Sequence, residues 1–384
     1  MGEATSSLGL SNVKTSVMGR VASNTQVSKQ EIDELVALAL KHISYDSRYV
    51  WNASINGVIA QLVTNNYHLM DFWVENWFPA PLQGIQPQGM IYAAMGVPGK
   101  KPYSYYCSEA KTAVFINTDY YGQCKSWALG IVADILEMQH GIHSIHGAVV
   151  DLEGYGICII APTGTGKSTQ SYGLILHIPT AKLHSDDWCY VEHIGNGDFA
   201  RARASISERT FYLRTDIADG FPRMAELFSR CKLENVGETY SSVRNSRAIL
   251  DPTWIAGAER FTHVTDLKAV ILLRRDDKSP AEVKLGADEA IEILKKGEYM
   301  VLPGAGPKED WGKIKSEPFY NPYLLVRNEE RTQLQEKFFR KTFRVATCHI
   351  LNTGVETIEE SQQRILRIAR EAMQEAQKIG TVGS

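Results

Sequence analysis

The chain has 384 residues, 44% of them hydrophobic and 22% charged, so it is long enough to bury a large core and polar enough to be a soluble globular protein. Its net charge of only −3 argues against a nucleic-acid partner for the whole chain and leaves room only for a local positive patch. The six cysteines lack CxxC or zinc-ligand spacing, and no stretch has the roughly 18 apolar residues that span a membrane. We therefore expect a cytoplasmic protein with no membrane partner.

The N-terminal part predicts a mixed α/β lobe. Residues 1–27 are polar and predict a flexible segment. Ser28 and Glu31 then have the spacing of a capping box ahead of a helical apolar pattern. Short strands are predicted over residues 89–95, 103–107 and 113–117, followed by a long helix over residues 123–139 that ends at Gly141. We assign residues 28–140 to this lobe.

The remaining chain alternates predicted strands and helices. Strands are expected over residues 146–151 and 156–160, around a hairpin turn at residues 153–155. Further along, the pattern predicts a strand over residues 267–273, a helix over residues 287–296 and a strand over residues 344–352. A last amphipathic helix should span residues 357–378, capped by Thr357 with Glu360 and stopped by Gly380. We assign residues 141–380 to a second α/β domain.

The most informative segment runs from Ala161 to Ser168 and reads APTGTGKS. It fits the P-loop spacing GxxxxGK[ST], except that Ala161 replaces the first glycine. In such a loop the glycines turn backbone N–H groups toward phosphates, the lysine reaches the β- and γ-phosphates, and the hydroxyl binds Mg²⁺. A glycine turn that binds nothing is the alternative, which the preceding strand disfavours. The predicted ATP-binding residues are Thr163, Gly164, Thr165, Gly166, Lys167, Ser168 and Thr169.

Two adjacent acids follow a strand-like run over residues 181–183. A phosphotransferase needs a carboxylate near its metal ion, and Asp186 and Asp187 leave the strand on opposite faces. One can therefore bind the metal while the other orients or deprotonates the acceptor. We predict Asp186 as the base and Asp187 as a ligand of Mg²⁺ or Mn²⁺, with solvated strand-end acids as the alternative.

The segment from His146 to Asp187 resembles HPr kinases and phosphoenolpyruvate carboxykinases. HPr kinases carry a His-Gly-Val-Leu-Val-Asp strand before their P-loop, which residues 146–151 match, and carboxykinases carry Gly-Thr-Gly-Lys-Thr-Thr and a paired Asp-Asp, which residues 164–169 and 186–187 match. The resemblance covers roughly residues 115–355. It implies an α/β fold with a P-loop, phosphoenolpyruvate carboxykinase-like nucleotide-binding domain and an N-terminal mixed α/β lobe.

The resemblance implies further residues of the site. Residues 118–125 are similar to the carboxykinase segment Thr-Glu-Tyr-x-Gly-Glu-x-Lys, which implies substrate contacts from Tyr120 and Lys125. His146 takes the place of the metal-binding histidine and joins Ser168 and Asp187 as a metal contact. A neutral Lys125 could ligate the metal, whereas a charged one could bind an anionic substrate. Core packing stays open for Tyr120, and a structural role stays open for His146.

Three downstream residues complete the implied site. Asn245-Ser246-Arg247 resembles the family's Asn-Thr-Arg segment, whose arginine contacts the phosphoryl group, so Arg247 joins Asp186, Lys167 and His146 in the predicted catalytic set. Arg201 matches a substrate lysine, and Glu208 lies where the family has an acid near the γ-phosphate. Residues 351–354 resemble the late Val-Asn-Thr-Gly segment. A surface ion pair is the alternative for Arg247.

Two departures weigh against carboxykinase activity. Ser126 stands where the family has a second, metal-binding lysine, and no Ser-Pro-Lys-Asp-Lys segment is present. The leading hypothesis is therefore an ATP- and metal-dependent kinase that phosphorylates a hydroxyl of a small metabolite. The alternatives are a phosphoenolpyruvate carboxykinase, an HPr-kinase-like protein-serine kinase, or a nucleotide-driven regulator. The sequence leaves a homo-oligomer open.

Overall fold

A computed structural model describes residues 12–162, 164–197, 200–236, 246–301 and 308–382, and side chains through residue 375. The chain divides into two compact units. Unit 1 comprises the described residues of Met1–His140, Ser207–Ile255 and Tyr323–Val326; unit 2 comprises those of Gly141–Ile206, Ala256–Pro322 and Arg327–Ser384. No helix within the described ranges combines the length and apolar character needed to cross a membrane.

The described residues contain nine α-helices. They are α1 (Lys29–His42), α2 (Tyr67–Asn76), α3 (Tyr121–His140), α4 (Lys167–His177), α5 (Arg223–Phe228), α6 (Thr253–Ala256), α7 (Ala287–Lys296), α8 (Glu329–Thr342) and α9 (Ile358–Val382).

Twenty-two strands lie in the same ranges, several of them only two or three residues long. In unit 1 and the start of unit 2 they are β1 (Asn12–Val13), β2 (Ser23–Asn24), β3 (Tyr49–Ile55), β4 (Val58–Thr64), β5 (Phe78–Pro79), β6 (Gly89–Ala94), β7 (Tyr103–Cys107), β8 (Thr112–Ile116), β9 (His143–His146), β10 (Ala148–Leu152) and β11 (Tyr155–Ile160). The remaining strands are β12 (Ala181–Ser185), β13 (Trp188–Ile194), β14 (Arg201–Ile206), β15 (Phe211–Arg214), β16 (Lys232–Glu234), β17 (Arg247–Leu250), β18 (Val264–Arg274), β19 (Glu282–Leu285), β20 (Glu298–Met300), β21 (Ile314–Ser316) and β22 (Thr347–Asn352).

Unit 1 contains two sheets. The larger has the order β2-β7-β8-β6-β4-β3-β5, and the smaller has the order β1-β16-β17-β15. Apolar residues of α1 pack against one face of the larger sheet and form a core with Ile32, Val63 and Val114 at its centre. Helix α3 is buried along nearly its whole length, from Tyr121 to Glu137, so its polar residues need hydrogen-bond partners.

Unit 2 is built on a nine-stranded mixed sheet. Its main order is β12-β10-β11-β18-β14-β13-β9, with β22 beside the second half of β18 and β19 beside β22. Strand β11 runs parallel to β18 and leads directly toward α4. Helix α4 lies against α9 at Gly173, where a β-carbon would come within 1.7 Å of the Gln362 side chain. A larger residue there would require the end of the Gln362 side chain to move.

Most elements predicted from the sequence are present with small shifts at their ends. The capping box of Ser28 and Glu31 is formed, and Thr357 and Glu360 cap α9 in the same way. Two expectations were wrong. Helix α9 continues through Gly380 to Val382, and the predicted strand over residues 146–151 is broken at Gly147 into β9 and β10. The α/β prediction is confirmed at the level of fold class.

The N-terminal segment and the domain borders differ from expectation. Residues 12–24, expected to belong to a flexible segment, include β1, which pairs with β16, and β2, which pairs with β7. The Ser16 amide donates to the carboxylate of Asp119 at 2.8 Å. The predicted border after residue 140 coincides with a unit border, but Ser207–Ile255 and Tyr323–Val326 belong to unit 1 rather than to the second domain. The six cysteines are buried and form no disulfide.

Candidate functional site

A glycine-rich loop joins β11 to α4 in unit 2. Gly164 and Gly166 have φ of 89° and 101°, a left-handed backbone that suits glycine, and Gly166 is the N-cap of α4. The Thr165 hydroxyl donates to the Pro162 carbonyl at 2.8 Å, which fixes the loop internally. Thr163, a predicted nucleotide contact, lies outside the described residues. Both described glycines of the motif therefore have a backbone conformation that other residue types rarely adopt.

The loop is also held from a distant part of the chain. The Thr353 hydroxyl, one residue beyond β22, donates to the Thr165 carbonyl at 2.9 Å. Asn352 fixes this second turn, because its side-chain oxygen accepts from the Gly354 amide at 3.0 Å. From the sequence, residues 351–354 are known only for their resemblance to the Val-Asn-Thr-Gly segment. The structure gives Thr353 a contact to the glycine-rich loop.

Helix α4 begins at Lys167, and Ser168 and Thr169 follow in its first turn. The N–H groups of a first turn have no intrahelical acceptor, and the helix dipole places partial positive charge there. Gly164 is exposed, and Lys167, Ser168 and Thr169 are partly exposed. This end of α4 is therefore accessible and has the polarity that binds an anion such as phosphate.

Lys167, His146 and Asp187 form a tight cluster beside this helix end. The Lys167 ammonium lies 2.6 Å from Asp187 Oδ1 and 3.2 Å from His146 Nε2, and His146 Nε2 lies 3.1 Å from Asp187 Oδ1. Strand pairing explains the meeting: β9 pairs with β13 so that His146 is opposite Trp188, the residue after Asp187. The break at Gly147 sends β10 to pair with β12 instead.

Burial shapes the chemistry of His146. Its Nδ1 lies 2.5 Å from the Tyr320 carbonyl oxygen, so the ring is held at both nitrogens. Burial and the nearby Lys167 ammonium lower the pKa of His146, and the carboxylate of Asp187 opposes them only in part. A neutral imidazole is the form that ligates metal ions.

The cluster offers a partial metal-binding set. Within the described residues no group of three or more His, Cys, Asp and Glu side chains could hold a metal ion. His146 Nε2 and Asp187 Oδ1 are nevertheless suitable donors 3.1 Å apart, and the third predicted contact, Ser168, lies on the first turn of α4. Mg²⁺ is commonly bound by one or two protein ligands together with phosphate oxygens and water. The described residues therefore supply two neighbouring donors and not a complete metal site.

Comparisons with known proteins add little to this geometry. No family model matches the chain, and no curated protein matches it. Among solved structures, the HPr(Ser) kinase/phosphatase from Coxiella burnetii matches at 12% sequence identity, over 62% of this chain and 97% of its own. The TM-score is 0.28, too low to support an argument about fold or site. The resemblance to HPr kinases and carboxykinases therefore stays a prediction.

Asp186, the predicted base, lies directly beyond β12 and is buried, whereas the neighbouring Asp187 is partly exposed. The two carboxylates thus have different surroundings, as expected from adjacent residues at a strand end. Arg201, a predicted substrate contact, lies on β14 with its guanidinium 3.6 Å from Asp266, which also receives a hydrogen bond from Arg203 at 3.2 Å. Arg201 and Arg203 are two residues apart on β14, so both lie on one face of the strand.

The other predicted residues belong to unit 1, where a buried polar network surrounds α3. Lys125 lies 3.2 Å from Glu208 Oε2, and Glu208 Oε1 accepts from Asn76 at 3.1 Å. Asn76 in turn accepts from the Tyr121 hydroxyl at 2.8 Å, and the Tyr121 amide donates to Glu234 at 2.8 Å. Lys125 is thus paired with a carboxylate in the interior of unit 1.

Glu234 is the most enclosed carboxylate of this network. It is fully buried and also contacts His68 Nε2 at 2.7 Å and the Tyr212 hydroxyl. The Tyr212 ring lies 5.8 Å from the Lys125 ammonium and 5.9 Å from the Arg247 guanidinium. Burial, with the charge of Glu234, raises the pKa of Tyr212 well above its usual range. No sequence signal had singled out Glu234 or Tyr212.

Two further predictions concern this unit. Tyr120 is buried, with its ring against Gly122, so its surroundings fit core packing. Arg247 begins β17 and donates to the Ser246 carbonyl at 3.0 Å, while Asn245 of the same motif lies outside the described residues. The predicted residues thus form two groups, one in each unit: Lys167, His146 and Asp187 in unit 2, and Lys125, Glu208 and Arg247 in unit 1.

Proposed function

We propose that this chain is an ATP-dependent, divalent-metal-dependent kinase that transfers the γ-phosphate to a hydroxyl of a small metabolite. The observation that supports it most is the convergence of the Lys167 ammonium with His146 and Asp187 at the start of a helix preceded by two left-handed glycines. A triphosphate bound there would meet first-turn N–H groups, a lysine and two potential metal ligands.

Each residue has a distinct role in this proposal. Residues 163–169 cradle the triphosphate, with the Lys167 ammonium on the β- and γ-phosphates. Asp187, His146 and the Ser168 hydroxyl hold Mg²⁺ or Mn²⁺, which supplies charge neutralisation on the phosphates. Asp186 accepts the proton of the acceptor hydroxyl, because it is the second carboxylate of the strand end and is more buried than Asp187.

A carboxykinase receives less support. Ser126, which replaces the second lysine of that family, is buried in α3, and its hydroxyl donates to the Gly122 carbonyl at 2.6 Å. A neutral hydroxyl is a weaker ligand for a cation than the amine that it replaces. We therefore propose kinase chemistry without oxaloacetate turnover.

The test is ATP turnover by Lys167→Met. We expect this variant to lose ADP formation about a thousandfold, equivalent to about 4 kcal/mol of transition-state stabilisation, while the free energy of unfolding is unchanged. Lys182→Met, at an exposed position on β12, is the matched control and should retain turnover. Substantial turnover in Lys167→Met would contradict the proposed nucleotide site.

A second arm of the test separates a kinase from a nucleotide-driven regulator. ADP release is followed with and without a pool of small metabolites, and phosphorylated products are sought by mass spectrometry. A kinase accelerates when its acceptor is present and yields a product heavier by one phosphoryl group. Slow turnover that ignores the pool would favour the regulator.

A further inference from the structure

The tautomer of His146 follows from its two neighbours. A carbonyl oxygen can only accept, so Nδ1, 2.5 Å from the Tyr320 oxygen, must carry the proton. The opposite tautomer would face a nitrogen lone pair to a carbonyl oxygen at that distance. A ring protonated on both nitrogens would place a second positive charge 3.2 Å from the Lys167 ammonium. The neutral ring with its proton on Nδ1 is the form that suits the contacts with Tyr320 and Lys167.

This tautomer leaves the Nε2 lone pair facing the charged cluster. Nε2 can accept from the Lys167 ammonium, which also donates to Asp187 Oδ1 at 2.6 Å. Without the ammonium, two acceptors, His146 Nε2 and Asp187 Oδ1, would face each other 3.1 Å apart. A divalent cation bound here would use the same two lone pairs, on His146 Nε2 and on Asp187 Oδ1.

The carbonyl that fixes the tautomer comes from an unusual turn. Phe319 and Tyr320 have φ of 56° and 49°, so two consecutive bulky residues take the left-handed backbone. That region is unfavourable for side chains other than those of Gly, Asn and Asp. Neither Phe nor Tyr favours a left-handed backbone by itself, so contacts with surrounding residues must impose this conformation.

Several contacts hold this turn in place. Phe319 is buried in the core of unit 2 and stacks on Phe339, with ring centroids 5.8 Å apart. The Tyr320 amide donates to the Glu317 carbonyl at 2.7 Å, and its hydroxyl donates to the Glu298 carbonyl at 3.2 Å. The Tyr320 carbonyl thus approaches His146 from a turn that is anchored on both sides.

We propose that Tyr320 is a positioning residue whose backbone carbonyl holds His146 as an acceptor at Nε2. In this arrangement Nε2 accepts a hydrogen bond from the Lys167 ammonium. Its use as a metal ligand rests on the proposed function, whereas the fixed tautomer does not. Partners of this kind commonly change metal affinity about 10- to 100-fold when they are lost.

The tautomer can be observed directly in the full chain. ¹⁵N-histidine-labelled protein, free of metal and nucleotide, is measured by long-range ¹H–¹⁵N correlation at mildly alkaline pH, where the two tautomers give different cross-peak patterns. His146→Gln identifies the His146 signals by their disappearance. We expect a protonated Nδ1 and an unprotonated Nε2. A protonated Nε2 would overturn the proposal.

Two variants test the origin of the effect. Tyr320→Asn and Tyr320→Val both remove the phenol, but Asn tolerates the left-handed backbone and β-branched Val does not. We expect Asn to keep the wild-type tautomer and Val to give a mixture, with Mn²⁺ binding, read by electron paramagnetic resonance, about 10- to 100-fold weaker in Val than in Asn.

Each result bears on a separate claim. A wild-type tautomer in Tyr320→Val would overturn the role of the turn, and if Val does not fold, the wild-type and Tyr320→Asn spectra still decide it. A tautomer shift with equal Mn²⁺ binding in the two variants would support the positioning role. The same result would contradict the metal contact assigned to His146 in the proposed function.

Discussion

The polar cluster of unit 2 and the polar network of unit 1 use similar residues in opposite surroundings. In unit 2 the side chains of Lys167 and Asp187 are 13% and 23% exposed, at the open end of a helix. In unit 1 the side chains of Lys125 and Glu208 are only 4% and 6% exposed, and Glu234 is fully buried. Accessible ions can exchange partners for a ligand, whereas enclosed ions that lose a partner have no water to replace it.

The difference predicts that substitutions in unit 2 affect chemistry and that substitutions in unit 1 affect stability. The ion pair between Lys167 and Asp187 should contribute little to folding, because solvent competes for both groups. The chain of contacts from Lys125 to Glu234 should contribute much more, because its members are buried and a group that loses a partner there has no water to replace it. Three measurements test this contrast.

The largest effect is expected at the acid pair. Asp186→Asn should lower the transfer rate by about 10²- to 10⁴-fold, the usual contribution of a general base, and leave nucleotide affinity intact. Asp187→Asn should instead raise the metal concentration needed for half-maximal turnover. Titrations of Mg²⁺ and Mn²⁺ against both variants, with exposed Asp277→Asn as control, provide the measurement. Identical metal profiles would contradict separate roles for the two acids.

A stability loss should follow Glu234→Ala in unit 1. Removal of this carboxylate takes a buried partner from His68 Nε2 and from the Tyr212 hydroxyl. We therefore expect the free energy of unfolding to fall by about 3 kcal/mol. Urea unfolding of this variant is compared with exposed Glu109→Ala of the same unit, which should change stability by less than about 0.5 kcal/mol. Equal stability of the two variants would show that the network is not structural.

The smallest expected effect is a gain in metal affinity, and it sharpens the contrast between the two units. Lys167→Met removes the ammonium that bridges His146 and Asp187, so Mn²⁺ should bind the nucleotide-free variant about fivefold more tightly than the wild type. A partly exposed ion pair is worth about 1 kcal/mol, which sets that magnitude. Mn²⁺ binding is measured without nucleotide, with Lys182→Met as control. Weaker binding in Lys167→Met would mean that the lysine does not compete with the cation.

Features encoded by neighbouring residues were predictable from the sequence. The capping boxes at Ser28 and Thr357 depend on a partner three residues away, and α7 has the predicted bounds because its apolar period and its C-terminal Gly297 lie within one short segment. The left-handed glycines of the loop before α4 also follow from a local motif. Within the site, the sequence thus predicted the segments that carry Lys167 and Asp187.

Features that depend on distant partners were not predictable. Glu234 contacts His68 and Tyr121, which are 166 and 113 positions away in the chain, and no pattern near residue 234 indicates a buried carboxylate. The same holds for β1, whose partner β16 lies more than two hundred residues away. Phe319 and Tyr320 have no propensity for a left-handed backbone, so the turn that holds His146 follows only from tertiary packing.

The distribution of the buried cysteines makes local opening measurable. Cys107, Cys124 and Cys231 lie in unit 1, and Cys158, Cys189 and Cys348 lie in unit 2. Burial raises the pKa of Cys158 and of Cys231 to about 12, so neither thiol has appreciable thiolate in the folded state. Alkylation therefore requires opening of the surrounding structure. Pulse labelling read by peptide mass spectrometry gives each unit its own set of three probes, in the unmodified chain and under native conditions.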